Sequence, residues 1–337
     1  MATSTIHHVC IVGVAGAIPE ETRSNAAIGG QSEEDYVKRL SSQVGVSSRR
    51  IVREGQLGSD LARTAVTSLL TTLQWDPKTI DLLVVATQTP DRLFPGISFL
   101  LHRSLDLPKH VPVFDINLGC SAFTHGIWVV AGLLKGVGTR AILVNVDVMS
   151  RTIGTADYGN QVLFGDAATA TALQINETTA SISFSLASDG RGADAVCLPN
   201  SGMSATTVSS PEFFINGPAV LALGLRTVPN VVNELFETAK MTSQDVTLFV
   251  PHQANKFILE KLVQKLDIPS TRMLVEMENF GNTSSASIPL ALCSDPANTL
   301  RYGRDRTLLV GFGTGFSVSA AIADLSATTF VKPVTVS

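Results

Sequence analysis

An internal repeat limits the possible folds of this chain more than any other feature of its sequence. Two segments in the first half recur in the second, each made of a polar or helical stretch followed by an apolar run. The matched positions are Ile80 with Val246 and Ile142 with Leu308, both 166 residues apart. Between them, Val111–Ile116 is echoed by Met273–Met277 with a small difference in length. Two agreeing offsets indicate a duplicated supersecondary unit.

Short β-branched runs alternate with stretches of helical periodicity in both copies. The runs are Leu82–Ala86, Val113–Ile116, Ile142–Val146, Thr247–Val250 and Leu308–Phe312. Apolar strands that alternate with helices predict a mainly parallel sheet covered on both faces. Two copies of this unit predict an α/β protein with five layers, α/β/α/β/α. We place the halves at residues 1–178 and 179–337 and, because no polar linker separates them, expect one shared core.

Composition argues against several classes of protein. Charged residues make up 16% of the chain and the formal net charge is −4, so nothing favours nucleic acid as a partner. The longest apolar runs reach only about half of the ~20 residues that a membrane-spanning helix needs, and we expect no membrane span. Residues 1–8 lack a signal-peptide core, and the four cysteines are widely spaced with no CxxC pair. We therefore expect a cytoplasmic protein with reduced thiols and no metal site.

Cys120 is the first candidate for chemistry. It follows a predicted strand and a tight turn at Gly119, and precedes an apolar stretch of helical periodicity. A thiol at a helix N-terminus lies near backbone N–H groups and the positive end of the helix dipole, which lower its pKa. Because the thiolate is the nucleophile, this position favours a catalytic thiol, although a buried structural cysteine remains an equal alternative.

Two further turns carry polar side chains. His252 comes directly after a predicted strand, and Asn282 lies in a strand-to-helix turn that is the repeat partner of the Cys120 turn. Functional groups of α/β sheets gather at the carboxyl ends of strands, so we expect these turns to meet near the axis that relates the two halves. A backbone-capping role is the alternative for either residue. His125, one turn into the helix after Cys120, is a minor catalytic alternative.

A glycine-rich turn, Gly311–Phe316, ends another predicted strand. Such a turn lets backbone approach a ligand closely, and its N–H groups can hold an oxyanion. It is followed by a further strand rather than a helix, unlike a dinucleotide-binding turn. The N-terminal segment also lacks a glycine-rich turn that opens a helix, which argues against a Rossmann-type oxidoreductase.

The four motifs together resemble the β-ketoacyl-acyl-carrier-protein synthase III family, which has the thiolase fold. The motifs stand in the family's order and spacing and span nearly the whole chain; they are Asp115…Cys120-Ser-Ala-Phe, Pro251-His-Gln-Ala-Asn255, Gly281-Asn-Thr-Ser-Ser-Ala-Ser-Ile-Pro289 and Gly311–Phe316. The resemblance implies a catalytic triad of Cys120, His252 and Asn282. It further implies an oxyanion site made by the backbone N–H groups of Cys120 and Thr314.

The resemblance also implies a set of substrate-binding residues and partners. The residues are Tyr36 and Tyr158 beside the adenine of coenzyme A, Asn255 and Lys256 after the His-Gln-Ala motif, and Phe94, which would reach the acyl pocket of a second subunit in a homodimer. The implied substrates are an acyl thioester of coenzyme A or acyl carrier protein and a malonyl thioester of either. No cofactor is implied. Acylation of Cys120 and decarboxylative condensation at one thiol predict ping-pong kinetics.

Several residues depart from the family's pattern. Ala122 stands where glycine is usual, Tyr158 where an arginine clasps the adenine, and Phe257 where a basic residue helps to dock the carrier protein. These departures suggest a specialised condensing enzyme of secondary metabolism or lipid synthesis. Two alternatives remain open. One is acyl transfer to an alcohol or amine without decarboxylation, and the other is a non-catalytic partner of another synthase subunit.

Overall fold

Helices and strands alternate along most of the chain in the computed structural model, which describes residues 1–176, 180–204 and 212–337. The described helices are α1 (Glu34–Val44), α2 (Gly58–Leu73), α3 (Ile97–Ser104), α4 (Ala122–Val137), α5 (Tyr158–Gln161), α6 (Gly217–Ala239), α7 (Lys256–Lys265), α8 (Ser287–Ser294) and α9 (Pro296–Thr299). The first eight strands are β1 (Ala2–His7), β2 (Val9–Pro19), β3 (Thr22–Ser24), β4 (Ser48–Arg50), β5 (Leu82–Ala86), β6 (Val113–Ile116), β7 (Arg140–Val148) and β8 (Asp166–Ile175). The others are β9 (Ser181–Ser188), β10 (Val196–Cys197), β11 (Phe214–Ile215), β12 (Leu248–Pro251), β13 (Thr307–Gly313), β14 (Ser317–Ala323) and β15 (Thr329–Val336).

Two large sheets organise the fold. One has the strand order β15-β2-β8-β7-β5-β6 and the other β1-β9-β14-β13-β12. The terminal strands are exchanged, because β1 joins the sheet of the C-terminal half and β15 joins the sheet of the N-terminal half. The boundary that we placed between residues 178 and 179 lies outside the described residues, so the division into halves stays a prediction.

The strand registers reproduce the 166-residue offset of the sequence repeat. In the first sheet Leu82 of β5 lies opposite Ala141 of β7, and in the second Leu248 of β12 lies opposite Thr307 of β13. Both members of the second pair lie 166 residues after their counterparts, and both pairs are parallel. The third match is weaker, since β6 pairs with β5 along four residues whereas Met273 forms a single bridge with Phe249.

The expectation of mainly parallel sheets was wrong. Neighbouring strands pair antiparallel at β2–β8, β8–β7, β1–β9, β9–β14 and β14–β13. A continuous apolar run indicates only that both faces of a strand are buried. In a layered fold, antiparallel strands between two layers are also buried on both faces, so the run does not indicate strand direction. Strand β14 illustrates this, because every one of its residues is buried between two antiparallel neighbours.

Five layers are present, as the duplicated pattern predicts. Helices α4 and α8 lie between the two sheets in one apolar cluster that includes Phe123 and Ile288. Helices α2 and α3 cover the outer face of the first sheet, and α6 and α7 cover the outer face of the second. All eight residues of α8 are buried, whereas α4 buries one face between the sheets and exposes Leu133 and Lys135 near its C-terminal end. Among the described residues, we find no helix with the length and apolarity required to cross a membrane.

The outer cluster provides a direct test of the packing. Leu69 of α2 is fully buried against the first sheet, where a Cβ on Gly13 of β2 would lie only 2.9 Å from Leu69 Cδ1. We expect Leu69→Ala to lower the free energy of unfolding by about 2–5 kcal/mol, because the substitution leaves a cavity. Leu300→Ala serves as the control, since Leu300 is 55% exposed. Equal denaturant midpoints for the two variants would contradict this arrangement.

Candidate active site

Four turns from both halves of the chain line one cavity of about 360 Å³. Its wall includes Cys120, His252, Asn282 and Thr314, so the structure brings together the residues of all four motifs. Glycines permit this close approach. A Cβ on Gly313 would lie 2.6 Å from Cys120 Cβ and 3.1 Å from its Sγ, so any larger residue there would displace the thiol.

Cys120 lies two residues before the first residue of α4, as the sequence predicts. The expectation of a lowered thiol pKa was nevertheless wrong. Burial raises the pKa of Cys120 to about 12, and the charge of Asp147 adds to this effect. A hydrogen bond from the Ser284 hydroxyl and the residue's own backbone act in the opposite direction. The thiol is therefore protonated at neutral pH.

His252 follows β12 and is almost completely buried. Its backbone N–H donates to the carbonyl of Val310 at 2.7 Å, which fixes the residue against β13. The ring Nδ1 lies 2.6 Å from the hydroxyl of Ser287, and the ring packs edge-on against Phe312. Burial lowers the pKa of His252 to about 3, so the imidazole is neutral across the physiological range.

Asn282 is held with its amide nitrogen toward the histidine. Its Oδ1 accepts a hydrogen bond from the backbone N–H of Ser284 at 2.9 Å, and its Nδ2 lies 3.4 Å from His252 Nε2. Gly281 precedes it with φ +69°, and a Cβ there would collide with the carbonyl of Leu163. That turn therefore needs glycine to place Asn282 beside the cavity.

A buried carboxylate that the sequence analysis missed joins the segment after β5 to the turn that carries Asn282. Asp147 Oδ1 accepts hydrogen bonds from the Thr87 hydroxyl, the Gln88 backbone N–H and the Thr89 hydroxyl, at 2.8–3.2 Å. Its Oδ2 accepts from the backbone N–H of Ser285 at 3.0 Å. The available signal was the pair of polar residues Asn145 and Asp147 within an otherwise apolar strand.

The predicted substrate-binding residues lie at different places. Asn255 lines the cavity, but its side chain also caps α7 by accepting from the Ile258 N–H at 2.9 Å. Lys256 lines a separate surface groove of about 790 Å³ between α1 and residues 275–278, together with Lys38. The roles of these two residues in binding stay predictions.

Three aromatic residues of the prediction lie outside both of these depressions. Tyr36 of α1 is half-exposed, Tyr158 begins α5, and Phe94 is 82% exposed in the segment before α3. Their roles in binding stay predictions. His125 packs edge-on against Trp128 and does not line the cavity, which removes the geometric basis for the minor catalytic alternative.

Models of one protein family match both halves of the chain. The model of 3-oxoacyl-[acyl-carrier-protein (ACP)] synthase III matches residues 114–190, and the model of its C-terminal part matches residues 236–325. A β-ketoacyl-[acyl-carrier-protein] synthase III from Alkalilimnicola ehrlichii is 32% identical over 322 residues, which cover 93% of this chain and 98% of that protein.

Solved structures agree with the sequence matches. A 3-oxoacyl-(acyl-carrier protein) synthase from Burkholderia xenovorans superposes with a TM-score of 0.94 at 29% identity, over 99% of both chains. The priming β-ketosynthase of the R1128 polyketide biosynthetic pathway has a TM-score of 0.83 at 26% identity, over 94% of this chain and 96% of that one. The architecture, the motifs and these matches agree along almost the entire length, and the chain belongs to the 3-oxoacyl-[acyl-carrier-protein] synthase III family of thiolase-fold condensing enzymes.

Proposed function

We propose that the protein joins an acyl group to a malonyl thioester by decarboxylative Claisen condensation, in a ping-pong sequence through acyl-Cys120. The observation that carries the proposal is the convergence of a thiol, a neutral imidazole and an oriented amide on one cavity. The first provides a nucleophile, and the other two provide hydrogen-bond donors without a net charge.

In the first half-reaction the Cys120 sulfur attacks the carbonyl carbon of an acyl thioester. The bond from that carbon to the donor's sulfur breaks, and the proton of the Cys120 thiol ends on the departing thiol. The high pKa of Cys120 means that proton loss accompanies attack instead of preceding it. The Ser284 hydroxyl, which hydrogen-bonds the sulfur, favours the developing thiolate.

The negative oxygen of the tetrahedral intermediate requires its own donors. The backbone N–H groups of Cys120 and Thr314 fill that role in our proposal. Support comes from the contact of Gly313 with the thiol, because this contact places the 313–315 turn against the reacting sulfur. One well-aimed donor of this kind typically contributes roughly 3–4 kcal/mol to the transition state.

In the second half-reaction a malonyl thioester loses its carboxylate as carbon dioxide. The electrons of the broken C–C bond move into the thioester carbonyl and give an enolate, whose oxygen accepts hydrogen bonds from His252 Nε2 and Asn282 Nδ2. A hydroxyl proton from Ser287 to Nδ1 would keep the imidazole hydrogen on Nε2. Two donors only 3.4 Å apart can then share a single acceptor oxygen.

The enolate carbon attacks the acyl-Cys120 carbonyl and expels the Cys120 thiolate. The product is a β-ketoacyl thioester, and the thiolate regains a proton from solvent. One proton is consumed overall, because a malonyl carboxylate anion leaves as neutral carbon dioxide.

The proposed partners follow from the family and from the surface. Coenzyme A or an acyl carrier protein would deliver each thioester, with Lys256 and Lys38 beside the surface groove available to a phosphate. The exposed Phe94 supports a homodimer in which it enters the second subunit. Ala122, Tyr158 and Phe257, together with the likeness to a polyketide priming enzyme, support a role in specialised metabolism.

The alternative of acyl transfer to an alcohol or amine also starts from acyl-Cys120. A malonyl-dependent release of carbon dioxide separates the two reactions. The intact triad argues against the non-catalytic subunit, which needs none of these residues.

The acyl acceptor can be identified by intact protein mass. We expect wild type to gain the mass of one acyl group after incubation with acyl-coenzyme A or acyl-carrier-protein donors, and Cys120→Ala to gain none. Cys197→Ala is the matched control, because Cys197 lines the same cavity and should leave the adduct unchanged. An adduct that persists in Cys120→Ala and is lost in Cys197→Ala would contradict the assignment.

Variants of the two residues that bind the enolate oxygen can separate the two half-reactions. We expect His252→Ala and Asn282→Ala to slow carbon dioxide release from labelled malonyl thioester by about 10²–10³-fold, because each removes one donor to the enolate oxygen. Acylation of Cys120, followed by mass, should change far less. Loss of acylation with normal carbon dioxide release would reverse the assigned roles.

A further inference from the structure

A second amide side chain lies close to Cys120. Gln88 follows β5 by two residues, lines the catalytic cavity and is half-buried. Its backbone N–H donates to Asp147 at 2.8 Å, so its main chain is fixed by the same carboxylate that anchors Ser285. A Cβ on Gly119 would collide with Gln88 Oε1, which places this amide directly over the residue that precedes the nucleophile.

The Gln88 amide has no hydrogen-bonding partner within the part of the chain that the structure describes. The neighbouring Thr89 hydroxyl, in contrast, is committed: it donates to Asp147 and accepts from the Val148 N–H at 2.7 Å. The Ser284 hydroxyl lies on the same side, 3.1 Å from where a Cβ on Gly119 would be. That hydroxyl already forms a hydrogen bond with the Cys120 sulfur. Of these three side chains, Gln88 is the one that is free to bind a ligand.

The cavity wall also has a large apolar part. Its residues include Met149, Leu163, Phe164, Phe213, Val220 and Phe312. An acyl chain that fills such a pocket displaces the water around the Gln88 amide. An amide left without a partner in these surroundings costs roughly 1–3 kcal/mol, whereas a polar group on the ligand removes that cost.

We propose that the Gln88 amide selects acyl donors with a hydroxyl or keto group on the second or third carbon. This inference rests on the proposed function, since it concerns the acyl group that Cys120 accepts. The position follows from the geometry: the amide lies over Gly119, whose Cα is about 3.8 Å from that of Cys120, so it faces the first carbons of the bound acyl group rather than its tail.

Two nearly isosteric donors test the inference. 3-Hydroxybutyryl-coenzyme A and isovaleryl-coenzyme A differ by a hydroxyl in place of a methyl group on the third carbon. We expect wild type to acylate Cys120 with the hydroxy donor at least about tenfold faster in kcat/KM, because the pocket leaves Gln88 unpaired around the methyl analogue. Gln88→Met keeps the length of the side chain and removes the amide, and should abolish or reverse the preference. Gln264→Met, on the exposed face of α7, is the matched control.

A ratio of one or a preference for isovaleryl in wild type would overturn the inference, as would a hydroxy preference that survives in Gln88→Met. A competition assay covers the case in which neither donor forms an adduct. The two coenzyme A esters are then compared for protection of Cys120 from iodoacetamide, which requires binding only. Absence of adduct alone argues against the proposed function, whereas equal protection by the two esters argues against selection by Gln88.

Discussion

The carboxylate of Asp147 is the constraint on which the site depends. Its two oxygens accept hydrogen bonds from the segment after β5 and from the segment before α8, which come from different halves of the chain. Burying a carboxylate without hydrogen-bond donors would cost a large amount of folding free energy. The native structure therefore keeps both segments in place around Asp147. The same carboxylate fixes Gln88 and, through Ser285, the turn that carries Asn282 and Ser284.

Burial then decides how the site can work. The cavity raises the pKa of Cys120 and lowers the pKa of His252, so both groups are neutral at physiological pH. A thiolate–imidazolium pair, which a helix N-terminus alone would favour, is not the resting state. Neutral groups suit the proposed reaction, because the negative charge that develops during decarboxylation meets donors that were not already paired with an anion.

Much of this arrangement could be predicted from the sequence. The repeat offset of 166 residues reappears in the registers of Leu82 with Ala141 and Leu248 with Thr307, and the five layers follow from it. The convergence of Cys120, His252 and Asn282 on one cavity was also expected. These features depend on local residue patterns and on the internal repeat, and both can be read from one sequence.

Other features depend on contacts between distant residues, and the sequence could not show them. Apolar periodicity reports burial and not strand direction, so the antiparallel pairs were missed. The pKa of Cys120 depends on the burial of its thiol and on the charge of Asp147, which lies 27 residues away along the chain. The Ser287 hydroxyl beside His252 and the Gln88 amide over Gly119 likewise depend on packing between residues that are more than 30 positions apart in the sequence.

Asp147→Asn, with alkylation of Cys120 followed against pH, tests the role of the shared carboxylate most directly. We predict that the alkylation curve moves to lower pH, because a negative charge that raises the thiol pKa is removed. We also predict that condensation slows at least about tenfold, because the NH₂ group of asparagine cannot accept the hydrogen bond of one of the two joined segments. Asp166→Asn, at a buried carboxylate held by Ser150 and Val52, is the control for the loss of any buried acid. An unshifted alkylation curve together with wild-type condensation in Asp147→Asn would contradict the account.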